Sequence, residues 1–491
     1  MNYFMGEILE GRITGVEKAQ INRLKLFIKN NEPARCVYNT WNRYTYNNAK
    51  KFGIQNYVFT MYDYFQESFD YVNENQFDWL NYWESECNYT LHFIENSNDL
   101  RVFHNDKYIM YVHFNDDKYR NLIYINYFDS NKRKIKRELY DTRGFLNCTC
   151  ILDVNQKVVM ENYHAPNGII KIQKFYDTNS ESNELSKIIV KTEDKDLLFS
   201  NENELKKFFF KDLYEKGDIY YIDRPHEHGG IVNEMNAKMP FVAILHSTHS
   251  YQGKVKSIYT NVLNYIDNYE AIIVSTAKQK KDISQLLNYQ IPVYNISVGY
   301  IDMTYANIDN KNFQNKKLIS ISRLVPDKQV EHQIRIISEV KKAIPNVTLD
   351  IYGHGGQIND LNEIIQKYKL ENNVTLHGFS NDVERQLESA NLKVFTSKKE
   401  GFALAILESL AKGTPVICYD VDYGPSEMIE NGVNGYLIES GNETMMAQTI
   451  IKILQDEELL KTLSENSIKS TEKYLGHSIF FKWEQLINTI N

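Results

Sequence analysis

From about Tyr300 onward the chain repeats one alternation, a short apolar run followed by a turn and a stretch of helical periodicity. The runs "KLISISRL", "VTLDIYG", "VTLHGF", "LKVFTS", "PVICYD" and "GYLI" are interleaved with "QIRIISEVKKAI", "LNEIIQKYK", "DVERQLESA", "LAILESLAKG" and "SEMIENG", and a helix follows from about Asn442. Strands that are always joined through helices lie parallel, and right-handed crossovers cover both faces of their sheet. This predicts a doubly wound α/β domain over 301–476. An amphipathic helix, "HSIFFKWEQLINTI", follows a break at Gly476, so 477–491 is expected to pack back on the N-terminal domain.

The N-terminal part starts in the same way, with "NYFM", "TGVEKAQINRLKLFIKN" and "ARCVYN". Between about Phe65 and Asp196 the texture changes to short alternating runs such as "KYIMYVHF", "NLIYINYF" and "KIKRELY", separated by turn-like "FNDDKYR", "DSNKR", "DVNQK" and "APNG". Period-two alternation between turns marks an antiparallel meander. The βα pattern then resumes through "DIYYID", "FVAILHS", "EAIIVST" and "VYNISV". The expected organisation is a split Rossmann-like domain (1–64 and 197–300), a β-sheet domain inserted at 65–196, and the C-terminal Rossmann-like domain. Two such domains facing each other leave a cleft, a common ligand location.

Composition narrows the function. The 491 residues suffice for two to four domains, and a formal net charge of -8 argues against generic nucleic-acid binding. No apolar stretch reaches the roughly 18 residues of a membrane span, and the N-terminus lacks the pattern of a signal peptide, so a cytoplasmic location is expected. Five cysteines (Cys36, Cys87, Cys148, Cys150, Cys418), odd in number and without a C-x2-C pair, speak against a disulfide framework or a zinc site. Cys148 and Cys150 are expected as buried thiols on one face of a strand.

Chemistry concentrates at the strand ends of the C-terminal domain, where open α/β sheets bind ligands. In "FTSKKEGFALAILESLAKG", Glu400 and Glu408 flank seven residues, one at the passage from strand to helix and one inside the helix. An isolated pair of this kind is usually a loop charge and a helix-surface residue, so its surroundings decide. "ISISRLVPDK" offers Arg323 and Lys328 to a diphosphate. "YGHGG" contains Gly353, where backbone can approach a ligand. His377 and Gly378 form another strand exit. Gly401, Phe402 and Ala403 open a helix whose free N–H groups and positive dipole end suit an anion. Carboxylates on either side of a diphosphate can hold two polyols, a sugar and a ribose, which describes a nucleotide-sugar site.

Arg323 with Lys328, Gly353, Glu400-x7-Glu408 and "YGPSEMIENGVNGYLI" together resemble the C-terminal half of retaining GT-B glycosyltransferases of the GT4 class. Over the whole chain, "MNYFMGEILEGRITGVEKAQINRL", the β insertion, "LHSTHS" and the final helix resemble the branch containing adhesin-modifying transferases of accessory secretion and teichoic acid α-glycosyltransferases. The transferases that place N-acetylglucosamine on Ser-Asp repeats of cell-wall adhesins are the most similar. The resemblance implies a UDP-sugar-dependent hexosyltransferase that moves GlcNAc from UDP-GlcNAc to serine hydroxyls of an acidic Ser-Asp-repeat polypeptide. Arg323 and Lys328 would neutralise the diphosphate, Glu400 would bind the donor sugar and Glu408 the ribose. Gly15 would admit the donor phosphate, and His246 would sit beside the sugar.

No metal or other cofactor is implied. "DVD" at Asp420 to Asp422 looks like a metal-binding D-x-D, but it leads into a loop shared by metal-independent GT-B enzymes. An acidic acceptor calls for local cations, and the densest group is Lys132, Arg133, Lys134 and Lys136, in a run ending at Arg137. Alternation would put Lys132, Lys134 and Lys136 on one strand face and Arg133 with Arg137 on the other. A solvated edge strand is the simpler reading of the same residues. Arg224 and His249 are further candidates to border the acceptor. Teichoic acid is the alternative acceptor, a non-catalytic adhesin-binding partner subunit the alternative role, and a homo-oligomer or a second glycosyltransferase the alternative companion.

Overall fold

The computed structural model describes residues 1–73, 77–235, 239–251, 253–302, 311–380 and 382–490. They divide into two compact units, one comprising Met1–Lys25 with Pro33–Met239 and the other Leu26–Glu32 with Pro240–Asn491.

In the first unit the strands Ile219–Ile222, Asn2–Gly6, Ala34–Tyr38 and Val58–Thr60 run side by side and parallel in that order. Their residues are buried almost throughout, as expected for strands covered on both faces. Between Val58–Thr60 and Ile219–Ile222 the chain forms a ten-stranded antiparallel sheet running from Thr90–Phe93 to Asp196–Phe199. Every strand pairs with its neighbours in sequence, the meander that the turn spacing predicts. Its first half is covered by the short helical segments Trp79–Asn81 and Tyr82–Glu86, whose Trp83 packs with Leu100, Val102, Val112, Phe114 and Ile125. Cys148 and Cys150 are both buried on the strand Leu146–Leu152.

The second unit contains the parallel strands Phe241–Ile244, Ala271–Val274 and Val293–Asn295, and a six-stranded parallel sheet. The order in the latter is Val374–Gly378, Thr348–Tyr352, Lys317–Ile321, Leu392–Phe395, Val416–Asp420, Gly435–Glu439. The chain therefore starts in the middle, winds to one side, and returns past its first strand to the other. The direction of winding changes between Lys317–Ile321 and Leu392–Phe395, and in open α/β sheets the crevice at such a switch point is the usual ligand site. The helix Val330–Ala343 buries Ile334, Ile337 and Val340 in the core beneath that crevice.

Contacts divide the chain at Met239/Pro240, whereas the sequence pattern divides it at 300/301. The reason is visible in the loops that follow Phe241–Ile244 and Ala271–Val274. Ala277 N–H donates to Glu427 at 2.9 Å, and the Lys278 ammonium is ion-paired with Asp422. The final helix, Gly476–Ile490, sets Phe480 and Trp483 edge-on against Phe27, with ring centroids 5.7 and 5.6 Å away.

Candidate active site

The two loops at the switch point are stitched together. After Ile321 the chain makes one tight helical turn, Pro326–Lys328, and after Phe395 it runs through Thr396 to Ala403 before the helix Leu404–Ala411. Lys398 N–H donates to the Asp327 carbonyl at 2.8 Å, and the Thr396 hydroxyl donates to the Lys328 carbonyl at 3.0 Å. Across this seam the Lys328 ammonium is ion-paired with the Glu400 carboxylate, both side chains being more than four-fifths buried. Glu400 is held from below by a two-bond ladder, its N–H donating to Asp422 C=O at 2.9 Å and its C=O accepting from Tyr423 N–H at 2.6 Å.

Two glycines permit this closeness. A Cβ on Gly401 would lie 2.2 Å from the His246 carbonyl oxygen, so the turn before the helix is seated directly on the backbone that follows Phe241–Ile244. Gly353, at φ +155°, would place a Cβ 1.8 Å from the Ser322 carbonyl oxygen, which lets the loops after Ile321 and Tyr352 lie against each other. Ala403 precedes the helix in the left-handed region, at φ +67°, with no side-chain cap on the first-turn N–H groups. Ile406 N–H donates to the Ala403 carbonyl at 2.8 Å, while the positive dipole end at the start of the helix favours an anion. Phe402 is buried edge-on to Tyr474, with centroids 5.7 Å apart. Glu408 lies half-buried just over a turn further on in the same helix.

Arg323 is exposed at the crevice and makes no ion pair among the described residues, which leaves its guanidinium available for a ligand. His249 is buried, stacked on Tyr423 with ring centroids 6.0 Å apart, and burial lowers its pKa. Through Tyr423 its ring is joined to the same loop that holds Glu400. His377 stacks on Tyr352 at 4.6 Å and 10°, and hydrogen-bonds Asp350 at 2.9 Å; Gly378 C=O accepts from Gly353 N–H at 2.8 Å.

The remaining candidates lie in the first unit. Gly15 opens the helix Gly15–Lys29, is exposed, and has no heavy atom within 4 Å of where a Cβ would lie. Arg224 is ion-paired with Glu17 in the first turn of that helix, and Glu17 also accepts from Thr14 N–H at 2.9 Å. The basic cluster departs from the strand reading. The strand is Lys134–Tyr140, and Lys132 (φ +60°) and Arg133 belong to the turn before it, so Lys132 does not share a strand face with Lys134 and Lys136. The turn forms because Asp129 accepts the N–H groups of Asn131 and Arg133, and its carboxylate also pairs with the Arg133 guanidinium at 2.8 Å. Lys136 pairs with Glu138 at 2.8 Å and lies over the Tyr127 ring at 3.8 Å. Local carboxylates thus neutralise two of the four cations.

Sequence reasoning missed Lys278, Tyr423 and Glu427. Glu427 lies within "YGPSEMIENGVNGYLI", and its carboxylate receives Ala277 N–H at the start of the helix Ala277–Leu286. Its position in that segment was a signal, but the partner is 150 residues away in the chain. In the D-x-D segment Asp422 is taken by Lys278, and among the described residues no group of three His, Cys, Asp or Glu side chains is arranged to hold a metal ion.

A parallel sheet with cations and glycines in its switch-point loops, alongside a second set of parallel strands, has the GT-B architecture. The chain carries a glycosyl transferases group 1 domain, matched over residues 304–470. The poly(glycerol-phosphate) alpha-glucosyltransferase of Bacillus subtilis (strain 168) is 29% identical over 377 residues, which are 74% of this chain and 56% of that protein. The UDP-N-acetylglucosamine–peptide N-acetylglucosaminyltransferase GtfA subunit of Streptococcus agalactiae is 30% identical over 310 residues, 58% of this chain and 60% of that protein. The matches thus span rather more than half the length of these relatives. The crystal structure of the pneumococcal O-GlcNAc transferase GtfA in complex with UDP and GlcNAc shares the fold, with a TM-score of 0.82, 22% identity, and coverage of 100% of this chain and 98% of that one. Among the described residues no helix is long and apolar enough to cross a membrane.

Proposed function

We propose that the protein is a retaining glycosyltransferase that moves N-acetylglucosamine from UDP-GlcNAc to serine hydroxyls of an acidic Ser-Asp-repeat polypeptide. The observation that carries this reading is the Lys328–Glu400 pair at the switch point, beside the uncapped start of Leu404–Ala411 and the His246 carbonyl. In this reading the diphosphate takes the Lys328 ammonium, the Arg323 guanidinium and the first-turn N–H groups of the helix. Glu400, freed from Lys328, accepts hydroxyls of the donor sugar, and Glu408 accepts those of the ribose.

The acceptor hydroxyl attacks the anomeric carbon from the face of the departing phosphate. The bond from that carbon to the phosphate oxygen breaks with its electron pair going to UDP, and a phosphate oxygen takes the hydroxyl proton. Negative charge then accumulates on the diphosphate, where Lys328 and Arg323 stabilise it most in the transition state. No protein nucleophile, metal or other cofactor enters these steps. His246 lines the sugar, with its carbonyl fixed by Gly401, while Gly353, His377 and Gly378 complete the donor side and Gly15 approaches the phosphate. Arg224, His249, Lys132, Arg133, Lys134 and Lys136 serve the acidic acceptor. UDP-sugars are cytoplasmic metabolites, which puts the enzyme in that compartment. The S. agalactiae relative is a subunit, and a second glycosyltransferase or another copy of this chain is the companion expected.

The B. subtilis relative, named for a glycerol-phosphate polymer, supports a second reading with teichoic acid as acceptor. One assay separates the two: UDP-GlcNAc and UDP-glucose, each offered with a Ser-Asp-repeat polypeptide and with a polyol-phosphate polymer. The proposal expects the fastest transfer with UDP-GlcNAc and the polypeptide. Transfer to the polymer alone would replace it with the second reading. Absence of both transfer and donor hydrolysis would favour a non-catalytic adhesin-binding subunit.

A further inference from the structure

The turn that carries Lys328 is held from beneath by two buried side chains, Thr396 and Gln333, to which none of the roles above is assigned. Pro326–Lys328 is a single tight helical turn, and the residue after it, Gln329, stands in the left-handed region at φ +47° and ψ +45° before the helix Val330–Ala343 begins. A residue with a Cβ keeps that conformation only where its surroundings impose it, so the peptide units on either side of Gln329 must be fixed by something outside the turn. Thr396 fixes both. Its hydroxyl donates to the Lys328 carbonyl at 3.0 Å and to the Gln329 carbonyl at 2.9 Å, the two carbonyls that flank the left-handed residue.

A hydroxyl has one hydrogen to donate and lone pairs with which to accept. Gln333, in the first turn of Val330–Ala343, donates its side-chain amide to the Thr396 Oγ1 at 2.9 Å. With a lone pair so engaged, the hydroxyl hydrogen is turned toward the two carbonyls, which share it. One oxygen atom thereby ties together the helix, the exit of the strand Leu392–Phe395 and the Lys328 turn. Packing alone is a poor account of this amide, because the Gln333 Oε1 is buried with no hydrogen-bond partner among the described residues, and a leucine of similar size would fill the space without stranding an acceptor. What the amide adds is direction, through Thr396, to the backbone from which Lys328 projects. That side chain crosses the same seam to Glu400, so a rotation of the peptide between Lys328 and Gln329 would move the ammonium away from the place where charge develops.

We propose that Thr396 and Gln333 are positioning residues for Lys328: Gln333 orients the Thr396 hydroxyl, and the hydroxyl holds the Lys328–Gln329 backbone so that the ammonium is preset for the departing diphosphate. The proposal rests on the glycosyltransferase reading, which makes Lys328 the cation that meets the leaving group. Neither residue touches the donor, and both act through Lys328 alone.

The test measures release of UDP from UDP-GlcNAc and from UDP-glucose by the full-length protein, with and without the Ser-Asp-repeat polypeptide, since hydrolysis and transfer break the same bond. Thr396→Val keeps the side-chain shape and removes the hydroxyl; kcat should fall roughly five- to twentyfold with a smaller change in KM for the donor, and Thr396→Ser should restore most of the loss. Gln333→Leu should lower kcat in the same direction by less. Combining Thr396→Val with Gln333→Leu removes the stranded amide, so Tm should recover from that of Thr396→Val while kcat stays low, whereas a merely structural role would let both recover together. In a Lys328→Ala background, Thr396→Val should cost nothing further in kcat. Wild-type kcat in Thr396→Val, or the same fold loss with and without Lys328, overturns the proposal. If Lys328→Ala turns over as fast as the wild type, or the wild type releases no UDP, the reading on which the proposal rests falls instead, so the two failures are read from different proteins.

Discussion

Replacing Lys328 with alanine tests the centre of the mechanism, because this ammonium is committed to Glu400 before any donor arrives. Unit charges about 4 Å apart near a protein surface interact by roughly 4 kcal/mol at an effective dielectric of 20, so the pair largely cancels its own field. When the diphosphate binds, Lys328 exchanges a carboxylate for phosphate oxygens, and the contact strengthens as the leaving group gains charge. A charge-assisted hydrogen bond of this kind contributes about 1.5–3 kcal/mol, so kcat/KM should fall roughly ten- to a hundredfold, mostly in kcat. The variant also leaves Glu400 mostly buried and unpaired, facing an incoming dianion. Adding Glu400→Gln to Lys328→Ala should therefore recover donor binding that the single substitution loses. The double-mutant cycle, read as UDP affinity by calorimetry and as turnover by coupled assay, should show a coupling of about 1–2 kcal/mol. Additive losses would refute the idea that these side chains act as one unit, and an undiminished kcat in Lys328→Ala would remove Lys328 from the chemistry.

Glu408→Gln should weaken UDP binding roughly ten- to a hundredfold through loss of the charge-assisted bond to ribose, and unchanged calorimetric affinity would reject that role. Gly401→Ala forces the His246 backbone to move, since the added Cβ would lie 2.2 Å from its carbonyl oxygen. An overpacking cost of about 1–3 kcal/mol should lower Tm by several degrees, and UDP affinity should fall with it. His228 is fully buried, with neither ring nitrogen hydrogen-bonded and Nε2 3.6 Å from the Glu7 carboxylate, and burial outweighs that carboxylate to lower its pKa to about 4. Between that value and the unfolded value near 6.5 the unfolded chain binds the extra proton, so stability should drop by up to about 1.4 kcal/mol per unit as pH falls through this window. Denaturant melts from pH 7 to 5 should show that slope, and His228→Gln should flatten it.

The alternation of apolar runs with helical stretches was enough to predict parallel sheets, because a strand followed by a helix leaves no other economical connection. The turn-punctuated strands of 65–196 likewise specified a meander, since two-residue periodicity and closely spaced turns are local properties. Glycine and charge at strand ends single out Arg323, Lys328, Gly353, Glu400 and Glu408 in the sequence itself. Their local positions follow from the order of strands, and the chain pattern displays that order only in part.

Tertiary structure alone decided which of these groups meet. That Lys328 holds Glu400 depends on the first strand, Lys317–Ile321, lying beside Leu392–Phe395, a pairing across some 70 residues that no local signal encodes. The seating of Gly401 on the His246 carbonyl and the capture of Asp422 by Lys278 join segments about 150 residues apart, and they moved the compact boundary to Met239/Pro240. The basic run at Lys132 reads as a patch of charge in one dimension, but its turn and strand geometry bring Asp129 and Glu138 onto Arg133 and Lys136. Sequence fixes which charges exist and how a segment folds locally; the field at a site depends on distances between segments, and only the folded chain sets those.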